Sequence, residues 1–329
     1  MRVALLGLGL IGGSVARALR AAGDDWWVGA WTPSGRGPKQ ALAAGAVDAV
    51  CASAPELLAE ADLIVLAAPP LACIGLIGRL AGPWRDAVPA GVTVTDVAST
   101  KAEVERAARD AGLPWVGGHP MSGRETSGFE ASDATLFHGR PWVITAAQGG
   151  GDASKVEALA LACGARPVTM DAARHDRLVA SISHLPLLTS VMLVEAVTGL
   201  PGAEDRDWTA ARGLAAGGWR DTTRLARGDT AMGAEIFATN AERLAERLRA
   251  YRARIDAWLE LLEAPGGADP SAIRERLDAA RARLEAAATA ASPTPDEPEG
   301  APASVPRRVE PESVTPATAA GPTPDEPGA

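Results

Sequence analysis

The chain has 329 residues, 47% of them hydrophobic and 22% charged, which is ordinary for a globular protein and long enough for about two domains. Its formal net charge of -9 argues against a nucleic-acid backbone as the main partner, because neutralising phosphates takes a basic surface; small anionic substrates stay open, since a local arginine cluster overrides the average. Cys51, Cys73 and Cys163 are odd in number, far apart and without a Cys-x-x-Cys spacing, so they read as reduced packing residues rather than zinc or redox groups.

Up to about residue 171, short apolar runs alternate with helical stretches, the pattern of consecutive strand-helix-strand units. Arg2 to Leu6 reads as the first strand and not as a leader, because the glycines that follow sit at dinucleotide-loop spacing and no small-residue cleavage site comes after them. Further strands are expected at Trp27 to Trp31, Leu63 to Ala67, Val92 to Asp96, Trp115 to Gly117, Trp142 to Thr145 and Pro167 to Met170. Ser53-Ala54-Pro55-Glu56 and Thr100-Lys101-Ala102-Glu103 fit capping boxes at helix starts. The uncharged stretch Leu63 to Gly78 contains Pro69-Pro70 and falls short of the ~18 apolar residues of a spanning helix, so no membrane segment is expected and the chain reads as cytoplasmic.

From Asp171 onward strands give way to helical patterns: His175 to Val197, Trp208 to Ala216 and Met232 to Leu262. In the last, Phe237, Leu244, Leu248, Tyr251, Ile255, Trp258 and Leu262 make one apolar stripe, which needs a partner surface in the same chain or in a second subunit. Pro265-Gly266-Gly267 then breaks the helix, and Ile273, Leu277, Ala280, Leu284 and Ala287 mark one more. From Ser292 the chain is rich in Pro, Ala, Thr and Glu, with Pro-Thr-Pro-Asp-Glu-Pro at Pro293 and again at Pro322, too little apolar surface to offset the entropy of ordering. The expected fold is therefore α/β: a Rossmann-type doubly wound parallel sheet over 1–171, an all-helical domain over 172–264, an extra helix over 265–291 and a disordered Pro-rich tail over 292–329.

Gly7-Leu8-Gly9-Leu10-Ile11-Gly12 is a G-x-G-x-x-G run between a strand and a helix. In that setting the first glycine allows a tight turn, the second admits a pyrophosphate, and the third lets helix pack on strand. The amides of Leu10 and Ile11 then lie at a helix N-terminus, the positive end of its dipole. At the end of the second strand, where an acid would hold the adenine ribose of NAD, the sequence reads Trp31-Thr32-Pro33-Ser34-Gly35-Arg36. No carboxylate is there, and Ser34 with Arg36 suits a 2'-phosphate, so the expected cofactor is NADP before NAD.

Asp96-Val97-Ala98-Ser99-Thr100-Lys101 follows a later strand. Ligands gather outside the carboxyl ends of parallel strands, which puts Ser99 and Lys101 near the nicotinamide; helix capping and a solvated charge are the alternative readings. His119, framed by Gly117-Gly118 and Pro120, arrives at the same edge. An imidazole there suits a base that takes a hydroxyl proton as hydride departs, against a purely structural loop histidine. His175-Asp176 reads as a structural or hinge pair, and His184, in an apolar helix, as a buried imidazole supporting the site.

Gly7-x-Gly9-x-x-Gly12-Gly13-Ser14, Asp96-x-x-Ser99-x-Lys101, His119-Pro120-Met121-x-Gly123-x-Glu125-x-x-Gly128, His175-Asp176, Ser183-His184-Leu185-Pro186 and Gly217-Gly218-Trp219-Arg220-Asp221-Thr222-Thr223-Arg224 together resemble the prephenate/arogenate dehydrogenase family over about residues 1 to 262. The resemblance implies oxidative decarboxylation of a cyclohexadienyl substrate, prephenate to 4-hydroxyphenylpyruvate or arogenate to tyrosine, on the route to tyrosine and in a homodimer. It implies His119 as base, Ser99 on the same ring hydroxyl, Arg224 on a substrate carboxylate, Glu125 and Asp221 at the pocket rim, and Ser183 and His184 beside the substrate. Two departures stand out besides the missing ribose acid: Leu187 replaces the second histidine of the His-x-x-His pattern common in prephenate-specific relatives, and no strand-helix regulatory domain follows residue 264. The alternatives are another two-domain Rossmann dehydrogenase acting on a 3-hydroxy acid or imine, which would want a lysine in the helical region where none follows Lys155, and a non-catalytic nucleotide sensor.

Overall fold

The computed structural model describes residues 1–124, 126–200 and 202–291; Glu125 and the Pro-rich segment from Ser292 lie outside the described residues. Two compact units divide the chain, Met1–Trp258 and Leu259–Ala329.

In the first unit, β1 (Arg2–Leu6), α1 (Leu10–Ala22), β2 (Trp27–Trp31), α2 (Arg36–Ala43), β3 (Ala49–Val50), α3 (Ala54–Leu58), β4 (Leu63–Leu66), α4 (Pro70–Ala81) and β5 (Thr93–Asp96) alternate in sequence. The strands form one parallel sheet in the order β3-β2-β1-β4-β5. Period-two alternation splits the strand side chains between two cores: Val3, Leu5, Leu63 and Val65 face one, Ala4, Leu6, Ile64 and Leu66 the other. Burial on both faces is why these strands read as continuous apolar runs. The chain reverses direction across the sheet at β1, which leaves a crevice at the carboxyl ends of β1 and β4.

After α5 (Ala102–Asp110) come β6 (Gly118–Pro120), β7 (Pro141–Ile144), α6 (Ala153–Ala162) and β8 (Arg166–Thr169). These three strands form a separate sheet in which β6 runs antiparallel to β7 and β7 parallel to β8. The strand expected at Trp115 to Gly117 is displaced: Trp115 makes only single bridges, to Val94 and Gln148, and the paired strand is the next three residues, which include His119. Trp115 still serves as core, fully buried with Trp142.

The helical part opens with α7 (Ala172–Val179), a π-turn (Ala180–His184) and α8 (Leu185–Thr198), a nearly continuous rod with Pro186 in the first turn of α8. By length and composition alone Ala172–Thr198 is apolar enough to cross a membrane, with 22% of its most apolar window buried. The short hairpin β9 (Gly199–Leu200) and β10 (Ala203–Glu204), α9 (Trp208–Ala211), α10 (Gly217–Thr222) and a 3-10 turn (Arg224–Arg227) follow. The single helix expected over Met232 to Leu262 is two, α11 (Thr230–Thr239) and α12 (Ala241–Leu262). Asn240 interrupts them with φ -130° and ψ 28°, and its side chain is spent on other partners. The second unit contains the end of α12 and α13 (Pro270–Ala291).

Candidate active site

The glycine turn shows three residues chosen for three reasons. Gly7 has φ +114°, and a Cβ on it would lie 2.2 Å from the carbonyl oxygen of Ala67 at the end of β4. A Cβ on Gly12 would lie 2.4 Å from the Gly7 carbonyl, so α1 can start hard against the turn only without a side chain there. At Gly9 a Cβ would meet nothing within 4 Å: nothing in the fold forbids a side chain, and the open space is a cradle that a Cβ would fill. Gly9 is the N-cap of α1 and no side chain caps that helix, which leaves its first-turn amides, Leu10 and Ile11 among them, for an anion. These features fit the pyrophosphate of a dinucleotide.

Ser34 and Arg36 are exposed at the start of α2. The Ser34 hydroxyl accepts the Arg36 amide at 3.4 Å, and a Cβ on Gly37 would lie 2.5 Å from the Leu8 carbonyl. The first turn of α2 therefore abuts the glycine turn, with a guanidinium and no carboxylate from Trp31 to Lys39.

Asp96, fully buried at the end of β5, organises the neighbouring loop. Its Oδ1 accepts the Gly118 amide at 3.0 Å and its Oδ2 the Ala98 amide at 3.1 Å, and Lys101 Nζ forms an ion pair with it. One carboxylate thus binds the Ser99 loop to the strand that carries His119; Ser99 itself is half-buried. Lys101 is corrected as a cofactor contact: its side chain is 1% exposed, and its charge is consumed by Asp96. The capping box expected at Thr100 and Glu103 is also absent. Asp176 caps α5 instead, its two oxygens accepting the Lys101 and Ala102 amides at 2.8 and 2.9 Å, while the Thr100 and Thr239 hydroxyls share a buried bond of 2.8 Å. Glu235 caps α4 through the Leu71 amide at 2.8 Å. The helical segments are thereby clasped onto the carboxyl edge of the sheet.

His119 is half-buried. Its Nδ1 lies 2.8 Å from His175 Nε2, with the rings edge to face at 5.0 Å between centroids, and His175 Nδ1 lies 2.7 Å from Asp176 Oδ1. His175 and Asp176 are both buried. The pair read from sequence as structural is therefore in direct contact with the candidate base, a contact between residues 56 positions apart that no local pattern announces. Burial, and then the neighbouring His175, Lys101 and His184, hold His119 well below the ordinary imidazole pKa of 6.5.

His184, 2% exposed, bonds through Nδ1 to Asn240 Nδ2 at 3.1 Å, and the same amide nitrogen donates to the Asp176 carbonyl at 2.9 Å. Its partner is thus the side chain of Asn240. Burial lowers its pKa to about 4 despite the opposing Asp176 charge. Ser183 is exposed in the π-turn. Asp221 on α10 and Arg224 on the following 3-10 turn are exposed; that turn docks on α8, with the Ala226 amide donating to the Ser190 hydroxyl at 3.1 Å. The described contacts therefore join His119, His175, Asp176, Asn240 and His184, and the Asp96 bonds bring the loop that carries Ser99 to the His119 strand, while Asp221 and Arg224 belong to the segment that docks on α8. Asn240, Asp176 and His175 are the members that reading the sequence missed or undervalued.

Comparison with known proteins gives one consistent set of similarities. Residues 15–168 match the prephenate dehydrogenase nucleotide-binding domain and residues 171–277 the prephenate dehydrogenase dimerization domain. A cyclohexadienyl dehydrogenase of Zymomonas mobilis is 32% identical over 252 residues, 74% of this chain and 82% of that protein. A prephenate dehydrogenase of Lactococcus lactis is 29% identical over 265 residues, 78% of this chain and 69% of that protein. Among solved structures, Synechocystis arogenate dehydrogenase superposes with a TM-score of 0.69 at 27% identity, covering 86% of this chain and all of that one.

Proposed function

Because this chain belongs to the prephenate dehydrogenase family, we propose that it oxidises and decarboxylates a cyclohexadienyl substrate, prephenate or arogenate, in tyrosine biosynthesis, with His119 as base and NADP favoured over NAD. The observation that carries the site assignment is the arrangement at the sheet's carboxyl edge. The Asp96 carboxylate holds the Ser99 loop against the His119 strand, and the uncapped glycine turn of the same sheet supplies an anion cradle.

When bound, NAD(P) supplies the hydride acceptor. His119 takes the proton of the ring hydroxyl as that carbon loses hydride; the ring carboxyl leaves as CO2, and the product gains an aromatic ring. Its depressed pKa keeps His119 neutral, hence able to accept, through the physiological range. Ser99 holds the same hydroxyl, and Arg224 offers a carboxylate two parallel N-H donors. On this reading Asp221 belongs to the rim and Ser183 and His184 to the substrate wall; Glu125, expected at the rim from the sequence, lies outside the described residues. Arg36 and Ser34 meet a 2'-phosphate where a ribose-binding acid is missing. Leu187 removes a second imidazole from the pocket and favours acceptance of arogenate, whose ammonium group meets Glu125 or Asp221.

The dimer of this reading covers the apolar rod Ala172–Thr198, in line with the match of 171–277 to a dimerization domain. Steady-state rates followed by nicotinamide absorbance, with prephenate and arogenate each crossed against NAD and NADP, test the proposal. Turnover of either substrate with a higher kcat/KM for NADP is expected. Turnover of neither defeats the activity, and a large preference for NAD defeats the cofactor assignment.

A further inference from the structure

We infer that Asp176 and His175 are positioning residues that fix the tautomer of His119, holding its proton on Nδ1 so that Nε2 carries the lone pair. The inference rests on His119 being the base and adds what makes it one.

A carboxylate can only accept, so at 2.7 Å from Asp176 Oδ1 the His175 Nδ1 carries a proton. A neutral His175 then has a bare Nε2. That atom stands 2.8 Å from His119 Nδ1, and two bare nitrogens would repel, so His119 donates its Nδ1-H into the bond. The proton of neutral His119 is thereby committed, and only Nε2 remains to accept another. A neutral histidine side chain in water favours the opposite tautomer, with the proton on Nε2, which would present a donor to the substrate hydroxyl and no base at all.

Asp176 is held for this task from every side. Its two oxygens also take the Lys101 and Ala102 amides, and its backbone carbonyl takes Asn240 Nδ2. The aspartate and both rings are thereby fixed to the first turn of α5 and to the break between α11 and α12. When His119 accepts the substrate proton, the new imidazolium points its Nδ1-H at His175 and, one ring further, at the Asp176 carboxylate, so the charge forms against a preset acceptor.

The test uses the full-length protein labelled with 15N-histidine, whose four histidines give a resolvable ring spectrum. At neutral pH the wild type is expected to show Nδ1-H for both His119 and His175, with the His119 signal assigned by its loss in His119→Asn. In His175→Ala, His119 is expected to revert to Nε2-H, and kcat to fall on the order of 10²-fold with KM changed less than about threefold. His175→Gln, whose side-chain oxygen can still accept the His119 Nδ1-H, is expected to recover part of that loss. An Nε2-H proton on His119 in the wild type overturns the inference even if no variant folds. So does a His175→Ala enzyme that keeps kcat within threefold. An active His119→Asn enzyme would instead defeat the base assignment, whatever the spectra show.

Discussion

Asp96 Oδ1 accepts the amide of Gly118 at 3.0 Å, so a buried carboxylate on one sheet sets the position of the strand that begins the next. Lys101 balances that charge with a side chain 1% exposed. Replacing one member of a buried pair strands the other, at a cost of about 3 to 5 kcal/mol. Lys101→Met is therefore expected to lower unfolding free energy by that amount in urea titrations. A change below about 1 kcal/mol would show that Asp96 does not need its partner and that Lys101 serves elsewhere.

The glycine turn separates folding from binding. Gly7→Ala drives a Cβ to 2.2 Å from a backbone oxygen at φ +114°, and strain plus overpacking should cost roughly 2 to 6 kcal/mol. Gly9→Ala meets nothing, so its unfolding free energy should stay within about 1 kcal/mol of wild type, while KM for the cofactor rises at least about tenfold as the cradle fills. Equal cofactor KM in Gly9→Ala and wild type would remove the pyrophosphate from this turn.

On the proposed reading, Arg36 is the residue that decides between cofactors. Arg36→Ser is expected to raise KM for NADP by about 10- to 100-fold, the equivalent of a lost charge-assisted bond of roughly 1.5 to 3 kcal/mol, and to leave KM for NAD within about threefold. Parallel changes in both would contradict a 2'-phosphate role.

Acid should unfold this protein through its buried imidazoles. His184 has its pKa lowered from 6.5 to about 4, and His119 is lowered as well. Above pH 6.5 both are neutral folded and unfolded, so they add no pH dependence. As pH falls from 6.5 toward 4 the unfolded chain binds protons that the folded chain refuses, and stability drops; below the folded value the dependence ends. For His184 alone the loss reaches on the order of 3 kcal/mol by pH 4. Urea midpoints across that range should show a decline that His184→Gln reduces; an unchanged slope in the variant would mean that His184 titrates normally.

Much of the fold was legible because its signals are local. Alternating apolar runs located β1, β2, β4 and β5 to within a residue, and the glycine spacing located the anchor of α1. The strand at Trp115 to Gly117 misled because Trp115 and Val116 make it the more apolar of two adjacent segments, whereas pairing with β7 selects Gly118-His119-Pro120. Met232 to Leu262 read as one helix because Asn240 does not disturb the apolar period; what breaks the helix there goes with distant partners, Asp176 and His184. Similarly, Thr100 and Glu103 have the spacing of a capping box, yet Asp176 supplies the cap from 75 residues away. Ser99 could be picked out by its place after β5, and His119 by its glycine and proline frame, although it lies within β6 and not after a strand. The His175 contact could not, since tertiary packing alone creates it.

His119 is the proposed base of a cyclohexadienyl dehydrogenase. The most direct test of that role is the nicotinamide absorbance rate of His119→Asn beside wild type, on prephenate and arogenate at saturating cofactor, with cofactor Kd measured on both proteins. The expected result is a kcat lower by about 10²- to 10⁴-fold at unchanged cofactor Kd. A variant as fast as wild type on the substrate that wild type turns over would contradict it.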